Sequence, residues 1–315
     1  MKVLDPCSEM LSGDVISGTT FGSNIEEGKR IFELKRELAV LVIDAIQSLY
    51  IPGSRINKID REVRATIRSI IDIRIIAMKA GESSKDDLLG ILLDSNYKEI
   101  KHGNKNSGLT IDEVIDECKL FYFAGQETTG ILLAVWTMIL LAQHTNWQER
   151  AREEVSQVFG HEKPESDGLN RLKIVNMILH EVLRLYPPAV GLGRMTHEET
   201  KLGDIKLPGG TFLRLQIMLM HHDRDIWGDD VNEFKPERFS EGVSKVTKGQ
   251  TSYLPFGGGP QICVGLNFAL LEAKMALVVI LQHFCFDLSP SYSNAPHTIV
   301  TLQPQFGGHS VLRKL

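Results

Sequence analysis

Only four cysteines occur in 315 residues, at positions 7, 118, 263 and 285, and no two form a C-x-x-C pair. That spacing excludes a disulfide framework, argues against a four-ligand zinc site, and fits a reducing, cytosol-facing environment. Basic charge is scarce as well. Thirty-five Lys and Arg stand against 40 Asp and Glu, a formal net charge of −5 with no long basic run, so the electrostatic footprint of a nucleic-acid binder is missing. Long apolar runs are also lacking. The most apolar stretch, Gly130 to Ala142, is short of the ~20 residues that cross a bilayer and reads as a buried core helix. At the N-terminus no charged segment leads into an apolar one, so neither a signal peptide nor an anchor is expected in this chain.

What is present is enough for a large core. With 43% hydrophobic and 24% charged residues the composition is that of a globular protein, and one large domain or two moderate ones would fit. Apolar residues recur at helical spacing over 26–49 and 56–79, with Ile51-Pro52-Gly53-Ser54 as the break between two amphipathic helices. A short helix at 86–93 leads into a polar loop at 96–108. Thr110 and Glu113 form a capping-box pattern that opens a long helix running to about His144. Further helices are expected at 147–159 and 174–185, the latter stopped by Pro187-Pro188. Short β-rich runs over 190–219, separated by Gly203-Asp204 and Pro208-Gly209-Gly210, predict a small sheet, and a hairpin is expected over 288–312. The fold class is therefore mainly α with a small β component.

The residue with the clearest chemical promise is Cys263. It follows a glycine-rich loop, Pro255-Phe256-Gly257-Gly258-Gly259-Pro260-Gln261-Ile262, and precedes an apolar helix running to about Gln282. A thiol near a helix N-terminus has its thiolate favoured by the helix dipole, which suits a metal ligand. A thiol nucleophile and an inert core cysteine are the alternatives. Two motifs upstream bear on the choice. Ala124-Gly125-Gln126-Glu127-Thr128-Thr129 sets a glycine, an acid and hydroxyls inside an apolar helix, where the ladder opens easily. Glu181 and Arg184 lie three apart on a strongly apolar helix. Buried there, they need further acceptors for the guanidinium and would fix a neighbouring loop, with Arg238 in Pro236-Glu237-Arg238-Phe239 as third member.

In this order, A-G-x-E-T-T, E-x-x-R, P-E-R-F and F-x-x-G-x-x-x-C-x-G, the sequence resembles the cytochrome P450 haem-thiolate monooxygenases, in particular the plant members. The resemblance implies a single P450-like helical domain over residues 1–315 that corresponds to the C-terminal portion of the family, without its membrane anchor and N-terminal sheet. It implies Cys263 as proximal ligand of haem b iron, with Phe256, Gly259 and Gly265 shaping the loop and Arg194 pairing with a haem propionate. Gln261 stands where the family usually carries a propionate-binding arginine. Glu127 and Thr128 would organise water and deliver protons on the oxygen side, and Glu181, Arg184 and Arg238 would steady the haem loop. Residues 188–193 and 301–306 match substrate-contacting loops. Implied partners are an NADPH-cytochrome reductase, supplying electrons from NADPH, and a small apolar substrate, with no nucleic acid. The family works at the cytosolic face of the endoplasmic reticulum membrane. The alternative is a haem-binding fragment without turnover.

Overall fold

The computed structural model describes residues 53–80, 87–101, 108–247 and 252–315, together with residue 15 and several positions between 30 and 38. They divide into two compact units, one ending at Gly130 and one running from Ile131 to Leu315. In the first, α1 (Gly53–Lys79), α2 (Leu88–Lys101) and α3 (Ile111–Gly130) share one core. Ile59, Val63, Ile67 and Ile70 recur every three or four residues on α1 and are buried against Val114, Ile115, Cys118 and Tyr122 of α3. The helix expected over 26–49 lies mostly outside the described residues, although Ile31 and Leu34 join this core.

The capping box acts as read. Thr110 Oγ1 accepts from the Glu113 N–H at 3.2 Å while the Glu113 carboxylate accepts from the Thr110 N–H at 2.7 Å, the reciprocal box that starts α3. Asp87 starts α2, its carboxylate accepting from the Gly90 N–H at 2.8 Å. The loop expected over 96–108 is in part wrong, because α2 continues to Lys101. Tyr97, Lys98, Glu99, Ile100 and Lys101 have ordinary helix propensity, and extending a nucleated helix costs far less than starting one.

The second unit opens with a π-helical segment, Ile131–Thr137, followed by α4 (Met138–Gln143), α5 (Thr145–Phe159), α6 (Ser166–Leu169) and α7 (Lys173–Leu185). The sequence placed the opening of the helical ladder at 124–129. There the chain stays α-helical, with Thr128 Oγ1 donating to the Ala124 carbonyl at 2.7 Å, and the widening falls one turn later. Thr137 Oγ1 donates to the Leu132 carbonyl five residues back, at 2.7 Å, which matches the wider repeat of a π turn.

Strands β1 (Leu192–Met195), β2 (Thr200–Leu202), β3 (Ile205–Leu207) and β4 (Phe212–Leu215) follow, then α8 (Ile217–His221) and α9 (Arg224–Trp227). A 3-10 turn at Pro236–Phe239 and a short α10 (Val243–Val246) lead towards the cysteine loop. Beyond it α11 (Leu266–His283) runs into β5 (Phe284–Leu288), β6 (Pro296–Thr298), β7 (Leu302–Pro304) and β8 (Ser310–Lys314). The small sheet expected over 190–219 is instead two separate antiparallel pairs, β1–β4 and β2–β3, and the hairpin expected over 288–312 is β6–β7, followed by β8, which pairs with β5. Thr196 is the reason for the first division. Its hydroxyl donates to the Pro208 carbonyl at 2.7 Å and accepts from the Thr211 N–H at 3.0 Å, so the β2–β3 hairpin branches off where the β1–β4 ladder ends.

The core of this unit gathers α4, α5, α7 and α11 around Trp136, Leu141, Val155, Ile178, Leu179 and Leu277. By length and composition two helical runs, 111–143 and Leu266–His283, are long and apolar enough to cross a membrane. The second carries Glu272 and Lys274 and packs Ala273, Leu277 and Leu281 into the core.

Candidate active site

Helix α7 holds the centre of the site, and it has no cap of its own. Leu172 occupies the N-cap position without a side-chain bond. Glu154 of α5 supplies the missing acceptors: its carboxylate takes the N–H groups of Lys173, Ile174 and Val175 at 2.7, 2.8 and 3.0 Å. Three orphan donors are satisfied and a negative charge sits at the positive end of the helix dipole.

One turn before the end of α7, Glu181 and Arg184 are both 0% exposed. They form a bidentate pair, Nε to Oε2 and Nη2 to Oε1, each at 2.8 Å. The guanidinium reaches further: Nη1 donates to the carbonyls of His221 and Val231 at 3.0 and 2.7 Å, and Nη2 to that of Glu233 at 3.3 Å. All five donors are used, which a buried guanidinium requires. Glu181 Oε1 also accepts the Lys235 N–H at 2.9 Å, and Arg238 Nε stands 3.5 Å from it. Arg238 donates in turn to the carbonyls of Trp227 and Asp230, at 3.1 and 2.6 Å. Lys235 and Arg238 together hold the Asp230 carboxyl well down, to about 2. The structure thus brings Glu181, Arg184 and Arg238 together and binds them to the stretch 221–238.

The cysteine loop is closed by its own backbone. The Cys263 N–H donates to the Phe256 carbonyl at 2.9 Å, and the Gly257 N–H to the Leu254 carbonyl at 3.0 Å. Gly257 takes φ +72°, a backbone conformation that suits glycine, and a Cβ there would only touch the Leu192 side chain of β1 at 3.4 Å. Helix α11 starts at Leu266, three residues after the cysteine. Cys263 is exposed while Cys118 is buried, its thiol pushed up to about 12 by burial. The core-cysteine alternative therefore fails for Cys263. Among the described residues no cluster of three His, Cys, Asp or Glu could hold a metal, and no histidine bonds to the Cys263 thiol. Among the described residues, then, neither a zinc ligand set nor a Cys–His pair forms at Cys263.

Uncovered apolar side chains flank the thiol in sequence, Val264 being 89% exposed and Ile262, Phe268 and Leu271 exposed as well. A soft sulfur donor bordered by apolar surface fits an apolar macrocycle that carries iron. Arg194, on β1 opposite Leu213, donates to the Gly193 carbonyl at 2.8 Å. Gln261 ends a 3-10 turn at Gly259–Gln261 and is exposed. Glu127 and Thr128 belong to the first unit, in α3. Residues 188–193 and 301–306 meet where the Leu302 N–H donates to the Pro188 carbonyl at 3.0 Å.

The sequence reading missed the aromatic and imidazole cluster behind the loop. Tyr253 OH donates to the His180 carbonyl and lies 3.0 Å from His180 Nδ1, and the Tyr253 ring stacks on His221. No local pattern could have joined positions 180, 221 and 253. Burial lowers both His180 and His221 to about 4, with the nearby Lys274 and Arg184 charges acting in the same direction. An unfolded histidine titrates near ~6.5, so the folded state favours the neutral rings. Their contribution to stability is full above about pH 6.5 and is lost as pH falls towards 4. Melting temperature is expected to drop between pH 7.5 and 5, where most carboxylates stay ionised, with a limiting slope of about 3 kcal/mol per pH unit for two protons. A flat profile over that window would show these rings to be charged or exposed.

Comparison with known proteins supplies the remaining finding. The family model described as Cytochrome P450 matches residues 11–307. "Cytochrome P450 CYP72A219" of Panax ginseng is 61% identical over 98% of this chain and 62% of its own length. "7-deoxyloganic acid hydroxylase" and "Secologanin synthase 1" of Catharanthus roseus are 56% and 53% identical, each over 98% of this chain and 61% of their own length. The chain thus spans about three fifths of the curated relatives it matches.

Proposed function

The chain belongs to the cytochrome P450 family, and on that premise we propose that it is the haem-binding portion of a monooxygenase that inserts one oxygen atom of O2 into a small apolar organic substrate. The observation that carries the reading is the exposed Cys263 thiol, on a loop closed by the Cys263 to Phe256 bond and backed by the buried Glu181–Arg184 pair. The family match over residues 11–307 supports reading the chain as a single cytochrome P450-like domain.

When bound, haem supplies the one-electron and dioxygen chemistry that side chains lack. Cys263 would hold its iron through sulfur. Phe256, Gly259 and Gly265 would shape the loop around that sulfur, and Arg194 and Gln261 would bind propionates, the latter by a neutral bond weaker than a charge-assisted one. Glu127 and Thr128 would hold water and pass protons on the oxygen side. Electrons would come from NADPH through a flavoprotein reductase, at a membrane face. The likeness to the 7-deoxyloganic acid hydroxylase of Catharanthus roseus supports oxidation of an organic substrate.

The deciding measurement is the reduced, carbon monoxide-treated spectrum of the 315-residue chain loaded with haem. A thiolate-type Soret band is expected, and Cys263→Ala is expected to remove it while leaving the far-ultraviolet dichroism unchanged, because the side chain is exposed. Absence of the band from the unaltered chain would favour a fragment without turnover. Its persistence in the variant would mean that another residue is the ligand.

A further inference from the structure

We propose that His221 is the positioning residue that joins the buried Glu181–Arg184 pair to the loop bearing Cys263, by accepting the Leu254 N–H at its Nε2. The backbone of His221 is held from one side, since Arg184 Nη1 donates to its carbonyl at 3.0 Å. Its imidazole, fully buried, reaches the other way and meets the Leu254 N–H at 3.0 Å. From Leu254 the path runs through backbone alone. The Leu254 carbonyl takes the Gly257 N–H, and the Phe256 carbonyl, one residue before Gly257, takes the Cys263 N–H. One imidazole therefore stands between a buried ion pair and the segment that closes on the cysteine.

The surroundings leave the ring a single orientation. Tyr253 stacks on it with centroids 5.3 Å apart and planes 26° apart, and Trp227 meets it edge-on at 6.4 Å. The hydrogen bonding also selects a tautomer. Nε2 accepts, so the neutral ring must carry its proton on Nδ1, which is buried beside the backbone of Leu183 and Arg184 without a hydrogen bond of regular geometry. A leucine of similar size would fill the space and leave the Leu254 N–H unpaired.

The test uses the unaltered chain first. Selective 15N labelling of the histidine rings at pH 7.5 is expected to show His221 as the Nδ1–H tautomer with an accepting Nε2; a protonated Nε2 overturns the proposal. Amide exchange in the haem-free chain gives the second arm. His221→Leu is expected to speed exchange at the Leu254 and Cys263 amides about tenfold, the equivalent of roughly 1.4 kcal/mol, and His221→Gln, whose side-chain oxygen can accept the same N–H, to restore protection to within a few-fold. Unchanged exchange in the leucine variant, or equal loosening in both, would sink it. If the leucine variant does not fold, the tautomer decides. Haem release is followed in parallel and bears on the haem reading, on which the exchange arm does not depend: faster release from His221→Leu than from His221→Gln supports it, and equal release alongside loosened amides counts against the haem assignment alone.

Discussion

Glu181→Leu is expected to destabilise the second unit by about 3–5 kcal/mol, enough to consume much of a typical domain stability and leave the protein largely insoluble. The size follows from what remains. Arg184 stays in place, 0% exposed, with three carbonyl acceptors and no counter-charge. The Lys235 N–H loses its acceptor, and Arg238 loses the carboxylate 3.5 Å from its Nε. Two guanidinium groups would then share a buried space with nothing negative between them except Asp230 at the edge. Arg184→Lys is also expected to be severe, because an ammonium has three donors and cannot replace a five-donor planar fork. Replacing both partners, Glu181→Leu with Arg184→Leu, is expected to recover part of the loss, since no uncompensated charge remains. Urea denaturation of the three variants measures this. A Glu181→Leu cost below about 1 kcal/mol would show the pair to be hydrated.

Trp136→Ala is expected to cost about 3–5 kcal/mol, by the volume it empties. The indole is fully buried, stacks on Tyr186 with centroids 3.9 Å apart and planes 8° apart, and donates from Nε1 to the Leu302 carbonyl at 2.8 Å. Trp136→Phe separates the two contributions. It keeps most of the apolar ring and removes the donor, so a cost of about 1–3 kcal/mol is expected from the unpaired Leu302 carbonyl. Because the Leu302 N–H is bonded to the Pro188 carbonyl, the indole fixes the junction of residues 188–193 and 301–306, the segments proposed to contact substrate. Denaturation midpoints with unchanged m-values would assign the loss to stability; a phenylalanine variant as stable as the unaltered chain would show that the indole N–H contributes nothing.

Much of the molecule was legible in residues close together along the chain. The Thr110–Glu113 box, the stop of α7 before Pro187-Pro188 and the three-residue step from Glu181 to Arg184 depend on spacing within one turn, which the sequence states directly. The four short motifs in order were enough to suggest the family, and the match over residues 11–307 agrees. What was misread depended on competition between local signals. The polar segment after Asn96 looked like a loop, but the helix begun at Asp87 continues through it to Lys101. The glycine and hydroxyls of 124–129 pointed to an opened helix, whereas Thr128 bonds back within a regular α-helix and the widening lies at Ile131–Thr137.

By itself, then, the sequence determined the mainly α class, the helix termini set by caps and prolines, and the candidacy of Cys263, because each rests on contacts within a few residues or on a motif order. The tertiary structure alone decided that Cys263 is exposed while Cys118 is buried, and that Glu181 and Arg184 are buried with every donor used. It also decided that α7 borrows its cap from Glu154 and that His221 reaches Leu254 across 33 residues. The physical reason is common to these cases. Burial and long-range hydrogen bonds depend on which surfaces the packed helices present to one another, and residues far apart in the chain carry no local mark of the partner they will meet.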